Sequence, residues 1–324
     1  MSGHDITNGD CIRELKYYND NVFDTCITDP PYELGMDSWD KTGISYQPNT
    51  WRSILRVMKP GAFLLAFGGS RTYHRIAVAI EDAGFQLRDT IYWVFGSGFP
   101  KSTNISKAIS KAGLSSSFAE LWDGWYTSLK PAVEPIIVAM KPLDGTYVRN
   151  AIEWGVAGLN IDRSRVPTDE VITINRFDDG MKPFGKAVGS AYTSVENTAG
   201  RYPANLIWDG SDEVAEEFVK FETSDGGNPS RFFYSAKVSK REKNLGLPVG
   251  MTNDHKTVKP VELMRYLVRL TKTPYGGIVL DPFMGTGTTG IASKLEEREF
   301  VGIELDASSF QVALERINNY ELYK

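Results

Sequence analysis

Cysteine and histidine are scarce. Only Cys11 and Cys26, and His4, His74 and His255, occur in 324 residues. Two cysteines allow no disulfide framework and no cysteine metal cluster. Three dispersed histidines argue against a histidine metal centre, so the chain reads as metal-free. No apolar run reaches the roughly 18 residues that a bilayer span needs, which excludes a helical membrane protein. The opening stretch MSGHDITNGD lacks the basic-then-apolar order of a secretory leader, and a cytosolic protein is expected. Neither an internal repeat nor a low-complexity tail is visible. Excess positive charge is missing too: the net charge is −5, which argues mildly against a nucleic-acid partner. Local balance matters more. Between Arg231 and Lys259 seven cations face only Glu242 and Asp254, so a basic face on an acidic body is allowed.

What remains is ordinary globular composition, with 41% hydrophobic and 12% aromatic residues, enough for a sizeable core. Residues 1–142 alternate strand-like and helix-like segments. VFDTCITD (22–29), AFLLAFGG (62–69), LRDTIYWVF (87–95) and EPIIVAMKP (134–142) read as strands. TWRSILRVMKPG (50–61) reads as a helix with a Pro-Gly stop, and TYHRIAVAIEDAGF (72–85) as an amphipathic helix. From about 143 to 250 the rhythm breaks into Gly-, Asn-, Asp-, Ser- and Thr-rich sequence, as expected of an insertion. After 251 it resumes: helix 259–272, strand 277–281, helix 288–297, strand 300–306 and a closing helix 307–321. Strands alternating with helices imply an α/β fold with a largely parallel sheet.

VLDPFMGTGTTG joins a strand to a helix. Gly285, Gly287 and Gly290 fit G-x-G-x-x-G, and Glu304 follows Gly285 by 19 residues, at the end of the next strand. That pattern alone describes a nicotinamide dinucleotide site. Only 34 residues follow Gly290, however, too few for the second half of a dinucleotide fold. A smaller nucleoside ligand fits better, and DPFMGTG is similar to the S-adenosylmethionine (AdoMet) motif of amino methyltransferases.

A second motif needs its own explanation. In CITDPPYELG an apolar strand runs into Asp29, then Pro30 and Pro31, then Tyr32. An exocyclic base amine is a poor nucleophile because its lone pair is delocalised into the ring. Asp29 and the Pro30 carbonyl can accept hydrogen bonds from its two N–H groups and return density to nitrogen. Prolines fix φ near −65° and so hold that carbonyl in place. Tyr32 offers a face for base stacking, worth roughly 1–3 kcal/mol.

With these motifs the chain resembles the β-group of AdoMet-dependent DNA amino methyltransferases, phage and prophage methylases in particular. The acceptor motif comes first, a target-recognition insertion next, and the AdoMet loop last. Further carriers are GSGFPKSTNISKAI (96–109), LKPAVEPIIVAMKPL (129–143), GRYPANLIWD (200–209) and HKTVKPVELMRYL (255–267). The resemblance implies a circularly permuted, Rossmann-like fold. It has a seven-stranded mixed sheet with strand 4–9 beside strand 300–305. Residues 1–142 would be the catalytic part, 143–250 the inserted target-recognition region, and 251–324 the AdoMet-binding part.

Carried over, Asp29, Pro30, Pro31 and Tyr32 are catalytic. Asp10, Cys11, Lys259, Asp281, Phe283, Gly285, Thr286, Gly287, Thr288 and Glu304 bind AdoMet. Asp10 meets the adenine end, Lys259 lies near the methionine carboxylate and Glu304 takes the ribose. Asp10 also suits a helix N-cap. Arg71, Lys101, Arg231, Lys237, Lys240 and Arg241 are candidate DNA contacts, although RFFYSAKVSKREK reads equally well as a strand. The loop 33–43 is expected to close over a flipped base, with Trp39 a packing residue. The implied partner is double-stranded DNA; relatives often pair, so a homodimer stays open. Asp29 rather than serine favours adenine N6 over cytosine N4 as the acceptor. A cytosine-N4 enzyme is the alternative, and a nicotinamide oxidoreductase the more distant one.

Overall fold

Strand β2 (Phe23–Thr28) is buried at all six positions, as a strand covered on both faces must be. It lies within a nine-stranded sheet in a computed structural model that describes residues 4–35, 38–98, 100, 102–168, 172–177, 192–197, 199–220, 228–236, 241–255 and 257–324. The other strands are β1 (His4–Asn8), β3 (Met58–Phe67), β4 (Gln86–Val94) and β5 (Val133–Met140). They continue with β6 (Ile172–Phe177), β7 (Tyr192–Asn197), β8 (Leu206–Trp208), β9 (Tyr234–Ser235), β10 (Ile278–Asp281) and β11 (Glu299–Glu304).

The sheet order is β1-β11-β10-β2-β3-β5-β4-β8-β9. The first seven are the strands expected from the sequence, and β1 pairs in parallel with β11, Asp5 opposite Val301. The expected count of seven needs correction. β8 pairs in parallel with β4, and β9 with β8, so two short strands from the loop-rich segment extend the sheet. They are only three and two residues long; β8 is too short for a periodic signal, and β9 lies in RFFYSAKVSKREK, where a strand is one of the two readings. The sheet is mixed because β5 runs antiparallel to both neighbours. β6 and β7 form a separate antiparallel pair.

Helices cover both faces. Pro48–Val57 and Tyr73–Asp82 bury Trp51, Ile54, Ile76 and Ile80 against one face. Val261–Leu270, Thr288–Leu295 and Ala307–Asn318 bury Leu263, Leu267, Ile291 and Ile317 against the other. The Pro-Gly pair at 60–61 does not stop a helix. The helix ends at Val57, and Pro60 lies inside β3. Pairing with β2 jumps from Phe23–Met58 to Thr25–Phe63 across that point. A proline without an N–H is tolerated at such an irregularity.

Candidate active site

β10 and β2 are adjacent and parallel, yet the chain leaves them in opposite lateral directions, towards β11 and towards β3. Such a switch point opens a crevice beyond the carboxyl ends of the strands. The Asp-Pro-Pro-Tyr corner follows β2 and the glycine loop follows β10, so the two motifs meet there. One carboxylate joins them. Asp281 accepts from the Thr28 hydroxyl at 2.7 Å, from the Thr289 hydroxyl at 2.5 Å and from the Phe283 N–H at 3.2 Å.

The corner is braced from behind. Trp51, fully buried, donates its indole N–H to the Ser45 carbonyl at 2.9 Å, and the Ser45 hydroxyl donates to the Pro31 carbonyl at 2.6 Å. Replacing Trp51 by alanine would cost about 3–5 kcal/mol and would loosen this brace. Among the described residues no backbone N–H donates to the Pro30 carbonyl. Asp40, 1% exposed, accepts from the Glu33 and Leu34 N–H groups at 2.8 and 3.0 Å, which pins the backbone just past Tyr32. The Trp39 side chain lies outside the described residues. Gly69 backs onto Tyr32, and a side chain there would meet the ring at 3.2 Å.

Asp29 sits in an ion cluster. Lys259, 7% exposed, places its Nζ 2.6 Å from Asp29 Oδ2 and 3.3 Å from Glu134 Oε2. The Tyr32 hydroxyl donates to the same Glu134 oxygen at 3.1 Å. Asp29 Oδ1 is buried and without a hydrogen-bond partner among the described residues. Burial works against the Lys259 charge, but Asp29 and Glu134 together outweigh it and hold its pKa above the ordinary value. Burial, then Asp29 and Glu134, push the Tyr32 phenol well up, so it stays a donor. Lys259 therefore stands at the Asp-Pro-Pro-Tyr corner. Sequence reasoning missed Glu134. The available signal was an acid and a proline opening an otherwise apolar strand.

The three glycines of the loop have different tasks. Gly285 (φ +55°) and Gly287 (φ +83°) adopt left-handed backbone that favours glycine. A Cβ on Gly287 would meet Ile317 at 2.9 Å, and one on Gly290 would meet Ile317 at 2.6 Å; both positions serve helix packing. Nothing lies within 4 Å of a Cβ on Gly285, which leaves room for a ligand to approach the backbone. The Glu304 carboxylate is aimed beside that space by the Gly285 N–H at 2.7 Å and the Asp306 N–H at 2.8 Å. Burial raises its pKa against these two bonds.

Arg316, fully buried, props the loop by donating to the Thr286 carbonyl at 2.6 Å and to the Thr286 and Thr288 hydroxyls at 3.0 and 3.4 Å. Asp10 caps its helix, accepting from the Arg13 N–H at 2.9 Å. Next to it, Cys11 is buried, its thiol pushed up to about 12 by burial and then by Asp10. The preceding Gly9 N–H donates to the Glu304 carbonyl at 2.9 Å, so Asp10, Cys11, Glu304 and Gly285 come together. These residues fit AdoMet: an open glycine cradle flanked by an oriented carboxylate.

The candidate DNA contacts are scattered. Arg71 is exposed on the turn after β3 that carries Gly69. Arg231 lies with its guanidinium 4.6 Å from the Phe232 ring centroid, and Arg201 lies 4.5 Å from the same ring. Arg241 is exposed. Lys101, Lys237 and Lys240 lie outside the described residues. No helix among the described residues is long and apolar enough to cross a membrane.

A proline-stiffened acceptor corner facing a glycine cradle at the switch point of a permuted mixed sheet is the arrangement of an AdoMet-dependent amino methyltransferase. The chain belongs to the DNA methylase family, whose N6/N4 methyltransferase model matches residues 23–315. It is 22% identical to the type II methyltransferase M.HindIII of Haemophilus influenzae over 96% of this chain and 94% of that protein. To M.HpaI of Haemophilus parainfluenzae it is 24% identical over 95% and 72%. Among solved structures, the M1.HpyAVI–SAM complex is similar at 20% identity and a TM-score of 0.50, with 97% of this chain and 98% of that one covered. The cytosine-N4-specific PvuII DNA methyltransferase is similar at 13% identity and a TM-score of 0.56, with 100% and 92% covered. These structures share the fold. The protein is an AdoMet-dependent DNA amino methyltransferase, and the nicotinamide reading of its glycine loop falls away.

Proposed function

We propose that the protein methylates the exocyclic N6 amine of adenine in duplex DNA, at a specific site and after flipping the base out of the stack. The observation that carries this reading is Asp29, with one carboxylate oxygen held by Lys259 and the other buried without a partner. An unpartnered buried acceptor costs free energy until a donor arrives. The target N–H is that donor, and the Pro30 carbonyl takes the second one. AdoMet, when bound, supplies a methyl whose carbon–sulfur bond breaks as the carbon–nitrogen bond forms, the bonding pair staying on sulfur. Asp29 and the Pro30 carbonyl draw the amine towards pyramidal geometry, stabilise the positive charge that forms on nitrogen, and direct the proton it then loses. Tyr32 stacks on the extruded base and offsets part of the few kcal/mol that flipping costs.

Glu304 holds the ribose hydroxyls, with Asp10 and Cys11 at the adenine end and Asp281, Phe283, Gly285, Thr286, Gly287 and Thr288 lining the cradle. Residues 143–250 carry target recognition, inserted between a catalytic part, 1–142, and an AdoMet part, 251–324. Arg71, Arg231 and Arg241 contact phosphates, as do Lys101, Lys237 and Lys240. A carboxylate rather than a serine at position 29 favours adenine over cytosine. Incubating the protein with tritiated AdoMet and mixed-sequence DNA, then separating the nucleosides, decides the acceptor. Label in N6-methyladenine is expected; label in N4-methylcytosine alone would overturn the adenine assignment.

A further inference from the structure

Lys259 is shared by two carboxylates, and only one of them belongs to the acceptor motif. Its Nζ lies 2.6 Å from Asp29 and 3.3 Å from Glu134. Glu134 is the second residue of β5, immediately before Pro135, whose carbonyl accepts from the Gly68 N–H at 3.0 Å, so its backbone is fixed. One oxygen, Oε2, both approaches Lys259 and accepts from the Tyr32 hydroxyl at 3.1 Å. Lys259 also stands over the Tyr32 and Phe67 rings, 5.3 and 4.9 Å from their centroids.

Charge distinguishes this arrangement from a simple ion pair. Asp29 with Lys259 alone would be neutral. Glu134 makes the cluster net negative by one charge, on the side where positive charge develops as the nitrogen lone pair becomes a bond. His255, also near Asp29, adds no charge at neutral pH, because burial lowers its pKa. A poorly solvated site amplifies a single charge.

We infer that Glu134 is a positioning residue for methyl transfer: it anchors Lys259 and the Tyr32 ring, and it leaves the Asp29–Lys259–Glu134 cluster with one net negative charge. The inference rests on the methyltransferase reading and holds for either base amine.

The test is single-turnover transfer at saturating DNA and AdoMet. Four proteins are compared: wild type, Glu134→Gln, Lys259→Met and the double variant. Glutamine keeps the acceptor for Tyr32 and the side-chain size but removes the charge. Glu134→Gln is expected to slow transfer by roughly tenfold to a hundredfold with AdoMet affinity unchanged. Lys259→Met leaves two close carboxylates unpaired and is also slow. The double variant restores a net charge of minus one and is expected to turn over faster than either single variant. A purely structural role predicts instead a double variant no faster than the slower single variant, and that result, or a full rate in Glu134→Gln, overturns the inference. Should Glu134→Gln not fold, Tyr32→Phe removes the hydroxyl that ties the ring to Glu134 and keeps the ring. Slower transfer with unchanged AdoMet affinity is then expected, and an unchanged rate sinks the idea. A wild-type protein that transfers no methyl to any DNA would refute the methyltransferase reading itself, a distinct outcome.

Discussion

The Thr28 hydroxyl donates to Asp281 Oδ1 at 2.7 Å and so joins two motifs 253 residues apart. Thr28 immediately precedes the acceptor Asp29, and Asp281 opens the glycine loop. The bond is possible only because β10 and β2 lie side by side, Leu280 opposite Cys26. A displacement of either loop is transmitted to the other through one fully buried carboxyl.

That carboxyl carries a pH dependence. Burial raises the Asp281 pKa to about 7, against the lowering effect of the Thr289, Thr28 and Phe283 donors. The folded state thus binds this proton more tightly than the unfolded chain. Asp281 contributes stability that is fully present below the unfolded carboxyl pKa, about 4, and is lost as pH rises through about 7. The difference in thermal midpoint between wild type and Asp281→Asn should therefore change between pH 4 and 7, with wild type losing ground as pH rises. A difference that stays constant over that window would show that Asp281 titrates normally.

Asp29→Ala separates chemistry from folding. Glu134 remains within reach of Lys259, so the variant does not strand a buried cation. Transfer should fall by at least about a hundredfold, while AdoMet binding by calorimetry and the unfolding midpoint change little. Concurrent loss of AdoMet binding would make Asp29 a structural residue.

Much of this site was legible in the sequence because short motifs carry their own geometry. Asp-Pro-Pro-Tyr after a buried strand, and three glycines before a helix, specify local backbone. Seven of the nine strands of the main sheet were visible because each is at least four residues long and alternates with helix-like segments. β9 falls within RFFYSAKVSKREK, where a strand was one of two open readings, whereas β8 was not visible, since its pairing is decided by the neighbouring strand β4 and not by its own composition. Lys259 illustrates a similar limit. The family resemblance placed it near the methionine carboxylate of the cofactor; its ion pair with Asp29 was not legible, because it spans 230 residues and depends on strand order. Glu134 and Arg316 were hidden for the same reason: each acts through a partner on another element.

Glu304→Ala should weaken AdoMet binding more than it changes the rate at saturation. The carboxylate is pre-aimed by two backbone N–H groups, so its loss removes binding and no reacting group. A tenfold or greater rise in dissociation constant corresponds to about 1.4 kcal/mol or more and is measurable by calorimetry. An unchanged affinity would remove Glu304 from the cofactor site.

An acidic protein that binds DNA must concentrate its cations, and the salt dependence of binding reveals where. Each phosphate neutralised releases counterions, so the slope of log affinity against log salt counts the contacts. Arg241 is exposed and lies in the cation-rich stretch that starts at Arg231. If it meets a phosphate, Arg241→Ala should reduce that slope by about 0.9 between roughly 50 and 200 mM salt, with no change in AdoMet affinity. Fluorescence anisotropy with a labelled duplex reads the slope directly. A slope equal to wild type would place the DNA elsewhere, with Arg71 on the turn behind Tyr32 as the next residue to replace. The comparison also bears on recognition, since a phosphate contact weakens binding uniformly across sequences whereas a base contact does not.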